Sequence, residues 1–428
     1  MKIKKIELNN FRSFEHLEID FSERLNVFVG VNGAGKTSIL DSLAILLSRL
    51  IGRIQSSHGT GRQFTDTDIQ IGTSETANSI DLSYKNKNIR WTVTKTKRGR
   101  KRQTITNLVQ IKEIVELVQN ELENNEDASF PLAVYYGVNR AVLDIPLRIR
   151  NKHQFGQFEA YDQALTGKRN DFRLFFEWFR NREDLENEQR LYPEDRNQAG
   201  KKNKQSDLEY QDPQLQAVRD AIQALTDFSG IRIIRNPLRM EVRKDNKVLN
   251  VRHLSDGEKC LFALAGDLAR RLAIANPVLD KPLEGSGVVL IDEIDLHLHP
   301  EWQHRVIPQL LETFPNCQFI ITTHSPQVLG HVTSENVWCL MQKDGVTSII
   351  KPDGTYGHDS NFLLKTLLGS RYRPDVIDRE ISKLYKLIKK NPKAAREQLT
   401  SLKNQIEGDS PDLIHAEALL HRYEVLGK

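Results

Sequence analysis

The chain has 428 residues, 39% hydrophobic and 28% charged, which excludes a wholly disordered or fibrous polymer and leaves room for two or three domains. Its 61 basic and 57 acidic side chains leave a net charge of +4, too small to mark a nucleic-acid binder by overall charge. No apolar run approaches the roughly 18–20 residues of a membrane span. The first residues carry no apolar signal region, and Cys260, Cys317 and Cys339 are too few and too scattered for a disulfide framework or a zinc site. A cytoplasmic protein with no membrane partner is therefore expected.

From the N-terminus, residues 2–8 alternate apolar and charged side chains and predict a strand with one buried face. Residues 25–29 are a short apolar run that stops at Gly30. From Lys36 the spacing of Ile39, Leu40, Leu43, Leu46 and Leu47 predicts a helix. Between strand and helix lie Gly30, Asn32, Gly33, Ala34, Gly35, Lys36, Thr37 and Ser38, which match G-x-x-x-x-G-K-[ST] in the strand–loop–helix context that this phosphate-binding motif requires. The glycines let backbone N–H groups face phosphate oxygens at a helix N-terminus. Lys36 adds a cation at the β- and γ-phosphates, and Thr37 offers a hydroxyl to Mg2+.

Residues 78–106 predict a hairpin, with strands at 80–84 and 89–94, that ends in Lys95, Lys97, Arg98, Arg100, Lys101 and Arg102. This cluster reads either as a solvated hairpin tip or as a salt-dependent contact with a nucleic-acid backbone. No aromatic residue interleaves it, which argues against stacking on single-stranded bases. Residues 131–137 predict another strand. Phe172, Phe175, Phe176, Trp178 and Phe179 predict a helix whose rings pack on the core, and residues 198–205 read as a polar loop.

Strand-like sequence returns over 231–251. Ser255, Asp256, Gly257 and Glu258 open a helix that runs to Ala275, with Ser255 an ordinary N-cap on spacing alone. The apolar runs 288–291 and 318–322 predict buried parallel strands. The first ends in Asp292, suited to Mg2+ through its water shell, and Glu293, placed to take a proton from an attacking water. His324 follows the second run. His297 and His299 beside Asp295 read as interface or packing residues in preference to metal ligands. Residues 375–426 predict three amphipathic helices, whose apolar faces are expected to seek a protein partner.

In order, the phosphate loop, Leu254-Ser-Asp-Gly-Glu258, the Asp292–Glu293 pair, Asp295-Leu-His-Leu-His-Pro300 and His324 resemble the ATP-binding-cassette ATPase core over roughly residues 1–50 and 230–340. Asn10-Phe-Arg12-Ser-Phe14 resembles the RecF and SMC-type branch, although the chain shows no sustained heptads for a long coiled coil. The resemblance implies that Ser255, Asp256, Gly257 and Glu258 meet the ATP of a second chain in a homodimeric sandwich, which can extend to a higher oligomer. It gives His324 the part of the switch histidine and Arg12 that of an arginine reaching the nucleotide phosphates. Asp256 departs from the glycine usual at its position in transporters. Gln154, Gln157 and the Asn139-Arg140 pair all remain open for the Q-loop role.

Phe175-Phe-Glu-Trp-Phe179 with Arg182-Glu-Asp-Leu-Glu186, Leu254-Ser-Asp-Gly-Glu-Lys-Cys260 and Arg373-Pro374 further resembles the PtuA-type ATPases of Septu and retron systems. That likeness implies an ATPase that gates a separate HNH-type nuclease, with no nuclease activity of its own. A RecF-like DNA-repair ATPase and a slowly hydrolysing, ATP-gated scaffold are the competing readings. The expected fold is α/β, an ABC-ATPase head with a mostly parallel sheet covered on both faces and an antiparallel β part. Expected segments are 1–130 and 230–350 as the two parts of the head, 131–229 as a strand with a helical, polar insertion, and 351–428 as a helical appendage for partner or oligomer contacts.

Overall fold

The computed structural model describes residues 1–138, 155–167, 172–191, 210–343, 346–369, 373–408 and 410–426. The polar loop 198–205 and the candidates Asn139, Arg140 and Gln154 lie outside the described residues.

Strand β1 (Lys2–Phe11) buries Ile3, Ile6, Leu8 and Phe11, and β2 (Phe14–Asp20) returns antiparallel beside it. Asn10 and Arg12 both take positive φ, 52° and 50°, to make the reversal tight. Every residue of β3 (Leu25–Gly30) is buried, and the chain then enters α1 (Lys36–Gln55). Strands β4 (Glu75–Tyr84) and β5 (Lys87–Thr96) form a hairpin, followed by α2 (Ile111–Asn124) and β6 (Leu132–Tyr136). Helix α3 (Phe172–Leu191) buries Phe172, Phe175, Phe176, Trp178 and Phe179, as its aromatic spacing predicts.

Helix α4 (Pro213–Thr226) leads to β7 (Ser229–Arg235), β8 (Leu238–Lys244) and β9 (Lys247–Asn250). Next come α5 (Asp256–Ala275), β10 (Gly287–Ile291), α6 (Pro300–Thr313), β11 (Cys317–Thr322) and the short α7 (Pro326–Leu329). Strands β12 (Val337–Lys343) and β13 (Val346–Ile350) precede α8 (Ser360–Thr366), α9 (Asp375–Lys390), α10 (Pro392–Gln405) and α11 (Pro411–Leu426). No described helix is long and apolar enough to cross a membrane.

The central sheet has six strands in the order β13-β12-β3-β11-β10-β6, parallel except for β13. A four-stranded antiparallel sheet, β2-β1-β4-β5, and a three-stranded one, β7-β8-β9, flank it. The α/β head with antiparallel parts is the ABC-type ATPase fold. Burial on both faces explains the continuous apolar runs of β3, β10 and β11, whereas β1 alternates because only one face meets the core.

Two expectations need correction. The tip of the β4–β5 hairpin is Lys85 and Asn86, and the basic run lies at the opposite end of β5. There Lys95 pairs with Asp66 at 3.1 Å and Lys97 donates to the Thr73 carbonyl at 2.8 Å, while Arg98, Arg100, Lys101 and Arg102 are exposed. The turn residues Lys85 and Asn86 carry little sequence signal, whereas the charge run stands out.

The second correction concerns the tail. The chain divides into two compact units, Met1–Ser360 and Asn361–Lys428. In the second unit the apolar faces of α9, α10 and α11 cover one another, with Ile381, Leu384, Ile388, Ala395, Leu399, Leu402, Leu413, Ala416 and Leu420 as its core. Those faces need no partner for burial. Leu384→Ala, at a fully buried site, should destabilise this unit by about 2–5 kcal/mol. Hydrogen exchange should show lost amide protection across residues 375–426 and unchanged protection in the central sheet.

Candidate active site

Because β11 lies between β3 and β10, the carboxyl ends of three parallel strands open onto one edge, where α/β sheets place ligand chemistry. β3 delivers the phosphate loop, β10 delivers Asp292 and Glu293, and β11 delivers Thr322, Thr323 and His324. Two glycines of the loop are sterically required. Gly30 has φ 147°, and a Cβ there would lie 2.4 Å from the Leu340 carbonyl oxygen. Gly35 has φ 97°, and its Cβ would lie 2.5 Å from the Phe14 ring. The Phe14 contact explains why the β1–β2 turn and the loop occur together. Asn32 and Gly33 are exposed, and Ala34 is buried.

Lys36 is buried, and its ammonium donates to the carbonyls of Gly30 at 2.9 Å and Val31 at 3.0 Å. Burial pulls its pKa below the ordinary lysine value against the opposing charges of Glu293, Asp292 and Asp295. The carboxylates from β10 therefore face the loop lysine. Asp292 is 1% exposed, and its Oδ2 accepts from the Thr37 hydroxyl at 2.9 Å. Its Oδ1 accepts from Thr322 at 2.6 Å, and the Thr322 hydroxyl accepts the Glu293 N–H at 2.7 Å. Glu293 sits in the left-handed region at φ 47°.

One residue on, Thr323 donates to Asp295 at 2.5 Å, and the His324 N–H donates to the same carboxylate oxygen at 3.3 Å. Burial and the Lys36 charge hold the His324 imidazole below its ordinary pKa, against Asp295, Glu293 and Asp292, which favours the neutral ring. Thr37 and Asp292 supply adjacent hard oxygen donors, and the donor set fits Mg2+.

Arg12 reaches the first turn of α1 but its guanidinium is engaged. It donates to Asp41 at 2.9 Å, to Asp68 at 2.9 Å and to the Ser38 hydroxyl at 3.3 Å. Gln157 binds the carbonyls of Ala128 and Ala275, before β6 and at the end of α5, so it serves the amino end of the sheet and not the phosphate loop.

Ser255 is the N-cap of α5 in a capping box with Glu258, so the local reading of the sequence holds alongside any role toward a nucleotide. A Cβ on Gly257 would lie 2.2 Å from the His297 carbonyl oxygen, which packs the signature directly on the Asp295–Pro300 loop. Ser255, Asp256, Gly257 and Glu258 line a cavity of about 580 Å3 with Lys244, His297, Leu298, His299, Glu301 and Trp302. No phosphate-loop residue lines it. His299 N-caps α6 through Nδ1, and no group of three metal-ligating side chains occurs among the described residues.

Reading the sequence placed Asp295 in its motif but not under His324, and it assigned no role to Thr322, Asp41 or Asp68. Asp41 carried a faint signal, one helical turn beyond Thr37 on the face that meets Arg12. The roles of Thr322 and Asp68, and the bonds to Asp295, become visible only when β10, β11 and the β1–β2 turn are brought together.

A family profile described as an AAA domain matches residues 5–227, just over half the chain. The retron Ec83 probable ATPase of Escherichia coli is 33% identical over 423 residues, covering 87% of this chain and 77% of that protein. This chain belongs to the AAA-domain ATPase family. Another similar member, the retron Vc95 probable ATPase of Vibrio cholerae, is 30% identical and covers 92% of this chain and 85% of its own length. The Septu protein PtuA of Bacillus mycoides is 26% identical over 94% of this chain, which spans 49% of that longer protein.

In this AAA-family site, Lys36→Ala should abolish ATP binding, since the loop loses its buried cation. Thr322→Val should keep nucleotide binding and weaken its Mg2+ dependence by about tenfold, because Asp292 loses a hydrogen bond worth on the order of 1.5 kcal/mol. Calorimetry with ATP across a Mg2+ series checks both.

Proposed function

We propose that this chain is the ATP-hydrolysing subunit of a bacterial anti-phage defence complex, in which two heads close on shared ATP and gate an HNH-type nuclease partner. The convergence of Lys36, Thr37, Asp292, Glu293 and His324 at the ends of three adjacent strands carries the ATPase reading. The names of the retron and Septu relatives support the defence setting.

The loop amides and Lys36 hold the triphosphate. Thr37 and Asp292 would hold Mg2+, which would neutralise phosphate charge. Glu293 accepts a proton from the attacking water as its oxygen bonds to the γ-phosphorus, while the bond from that phosphorus to the β–γ bridging oxygen breaks and ADP leaves. The neutral His324 ring donates its N–H to a γ-phosphate oxygen, oriented by a main chain tied to Asp295. With little covalent work for the protein, the rate rests on positioning and electrostatics. The signature cavity lies away from its own loop, so Ser255 and Gly257 complete the site of a second copy.

Glu293→Gln keeps size and removes the proton acceptor, so turnover should fall by about 10²- to 10⁴-fold while ATP still binds. An ATP-stabilised dimer or higher oligomer should then accumulate in size-exclusion chromatography with light scattering. Turnover at the wild-type rate removes Glu293 from the base role, and a monomer with ATP bound defeats the shared site.

The exposed cations at the end of β5 support a further partner, a nucleic-acid backbone. Arg98, Arg100, Lys101 and Arg102 together neutralise up to four phosphates, for a slope of log affinity against log salt near about −3.6 on duplex DNA. Replacing all four with glutamine should flatten that slope by about the same amount in fluorescence anisotropy. An unchanged slope returns the run to ordinary solvated surface.

A further inference from the structure

Lys244 ends β8, outside every motif that marks the nucleotide site, yet its side chain lines the signature cavity. Asp245 and Asn246, both at positive φ, turn the chain immediately after it and fix where the strand ends. Its ammonium lies 2.7 Å from Glu258 Oε1 and 5.7 Å from the ring centres of both Phe228 and Trp302. Two aromatic faces thus guide the stem, and one carboxylate holds the charge. The other oxygen of that carboxylate, Glu258 Oε2, accepts from the Ser255 N–H at 2.8 Å and the Ser255 hydroxyl at 2.9 Å. A single carboxylate therefore stands between Lys244 and Ser255.

Charge in this cavity is the unusual feature. Asp256, Glu258 and Glu301 line it, and Lys244 is the only lysine or arginine among its described lining residues. Asp256 has Lys259 at 3.4 Å, and Glu258 has Lys244. A triphosphate brought to this acidic rim meets repulsion unless a cation turns toward it. At about 580 Å3 the cavity is within the roughly 300–1,000 Å3 of small-molecule sites, larger than a hydroxyl and a backbone amide need to reach one oxygen. The lysine stem is flexible, and its ammonium is a compact charge suited to exchanging one anion for another.

We propose that Lys244 is a phosphate ligand acting in trans: beside Ser255 and Gly257, it binds the terminal phosphates of ATP held by the phosphate loop of a second copy, with Glu258 as its resting partner. The inference rests on the shared-site reading above. The exchange is a charge-assisted swap of carboxylate for phosphate, with no bond made or broken. Glu258 then keeps its capping bonds to Ser255, so α5 stays capped while Lys244 moves.

The test uses the full chain with Lys244→Gln, Lys244→Arg and, as a control on the shared site, Ser255→Arg. Fluorescent ATP binding to the single chain, the Mg-ATP concentration for half-maximal assembly by mass photometry, and turnover are measured for each. Lys244→Gln should still bind ATP but need at least tenfold more of it to assemble, with turnover reduced in step. Lys244→Arg should restore both to within about threefold, and α5 should keep its amide protection in Lys244→Gln, whereas a merely structural prop for the α5 cap predicts that this protection is lost. Loss of assembly in Ser255→Arg with normal assembly in Lys244→Gln overturns the Lys244 inference and leaves the shared site standing. Normal assembly and turnover in Ser255→Arg overturn the shared site itself. If Lys244→Gln folds poorly, failure of the well-folded Lys244→Arg to assemble at wild-type ATP concentrations refutes a role for the positive charge.

Discussion

A buried carboxylate in need of partners organises this head. Asp292 is almost fully excluded from solvent, and an ionised carboxylate in such a place is costly unless its oxygens are hydrogen-bonded. Thr37 satisfies one oxygen and Thr322 the other. Its own N–H donates to the Tyr136 carbonyl at 2.8 Å. Four pieces of chain (β6, the phosphate loop, β10 and β11) are thereby registered on one residue. Thr322 extends the arrangement by accepting the Glu293 N–H, which sets the direction in which the next acid leaves the sheet. The positive φ of Glu293 is the local backbone strain tolerated there.

The same strand ties the site to the signature helix. Tyr136, whose carbonyl receives Asp292, donates its hydroxyl to Asp267 of α5 at 3.0 Å. Burial alone would raise the Asp267 carboxyl, but Arg271 and Arg270 hold it well below the usual carboxylate range. Arg271 also donates to the carbonyls of Ala160 and Asp162. Breaking one partner of such a buried network typically costs about 3–5 kcal/mol, so α5 and β6 move together or not at all. The Tyr136–Asp267 bond thus ties the carboxyl end of β6 to the middle of α5, the helix that Ser255 caps.

The helical tail follows a different logic. Its three helices bury their apolar faces in one another, so stability there is a local matter. What the unit leaves for recognition is its outer surface, where Val376, Ile414 and Val425 are more than half exposed. Amphipathic periodicity states only that a face is buried. Whether the cover is another helix of the same unit or a different protein is not encoded in the spacing.

That distinction runs through the whole chain. The phosphate loop was legible from sequence because its constraints are local: Gly30 and Gly35 need positive φ and close approach, and Lys36 and Thr37 follow at fixed offsets on one helix. Strands β3, β10 and β11 were legible because burial on both faces leaves continuous apolar runs, and the acids at the end of β10 stood out against that run. Tertiary structure alone decided that β11 separates β3 from β10, which places Thr322 on Asp292 and Asp295 under His324. It alone turned Arg12 onto Asp41 and Asp68, moved the basic run away from the hairpin tip, and set Lys244 against the signature. Those pairings join residues 14 to 56 positions apart, or depend on which end of a strand is which. No local pattern records such contacts, because the chain pays for them only when the sheet closes.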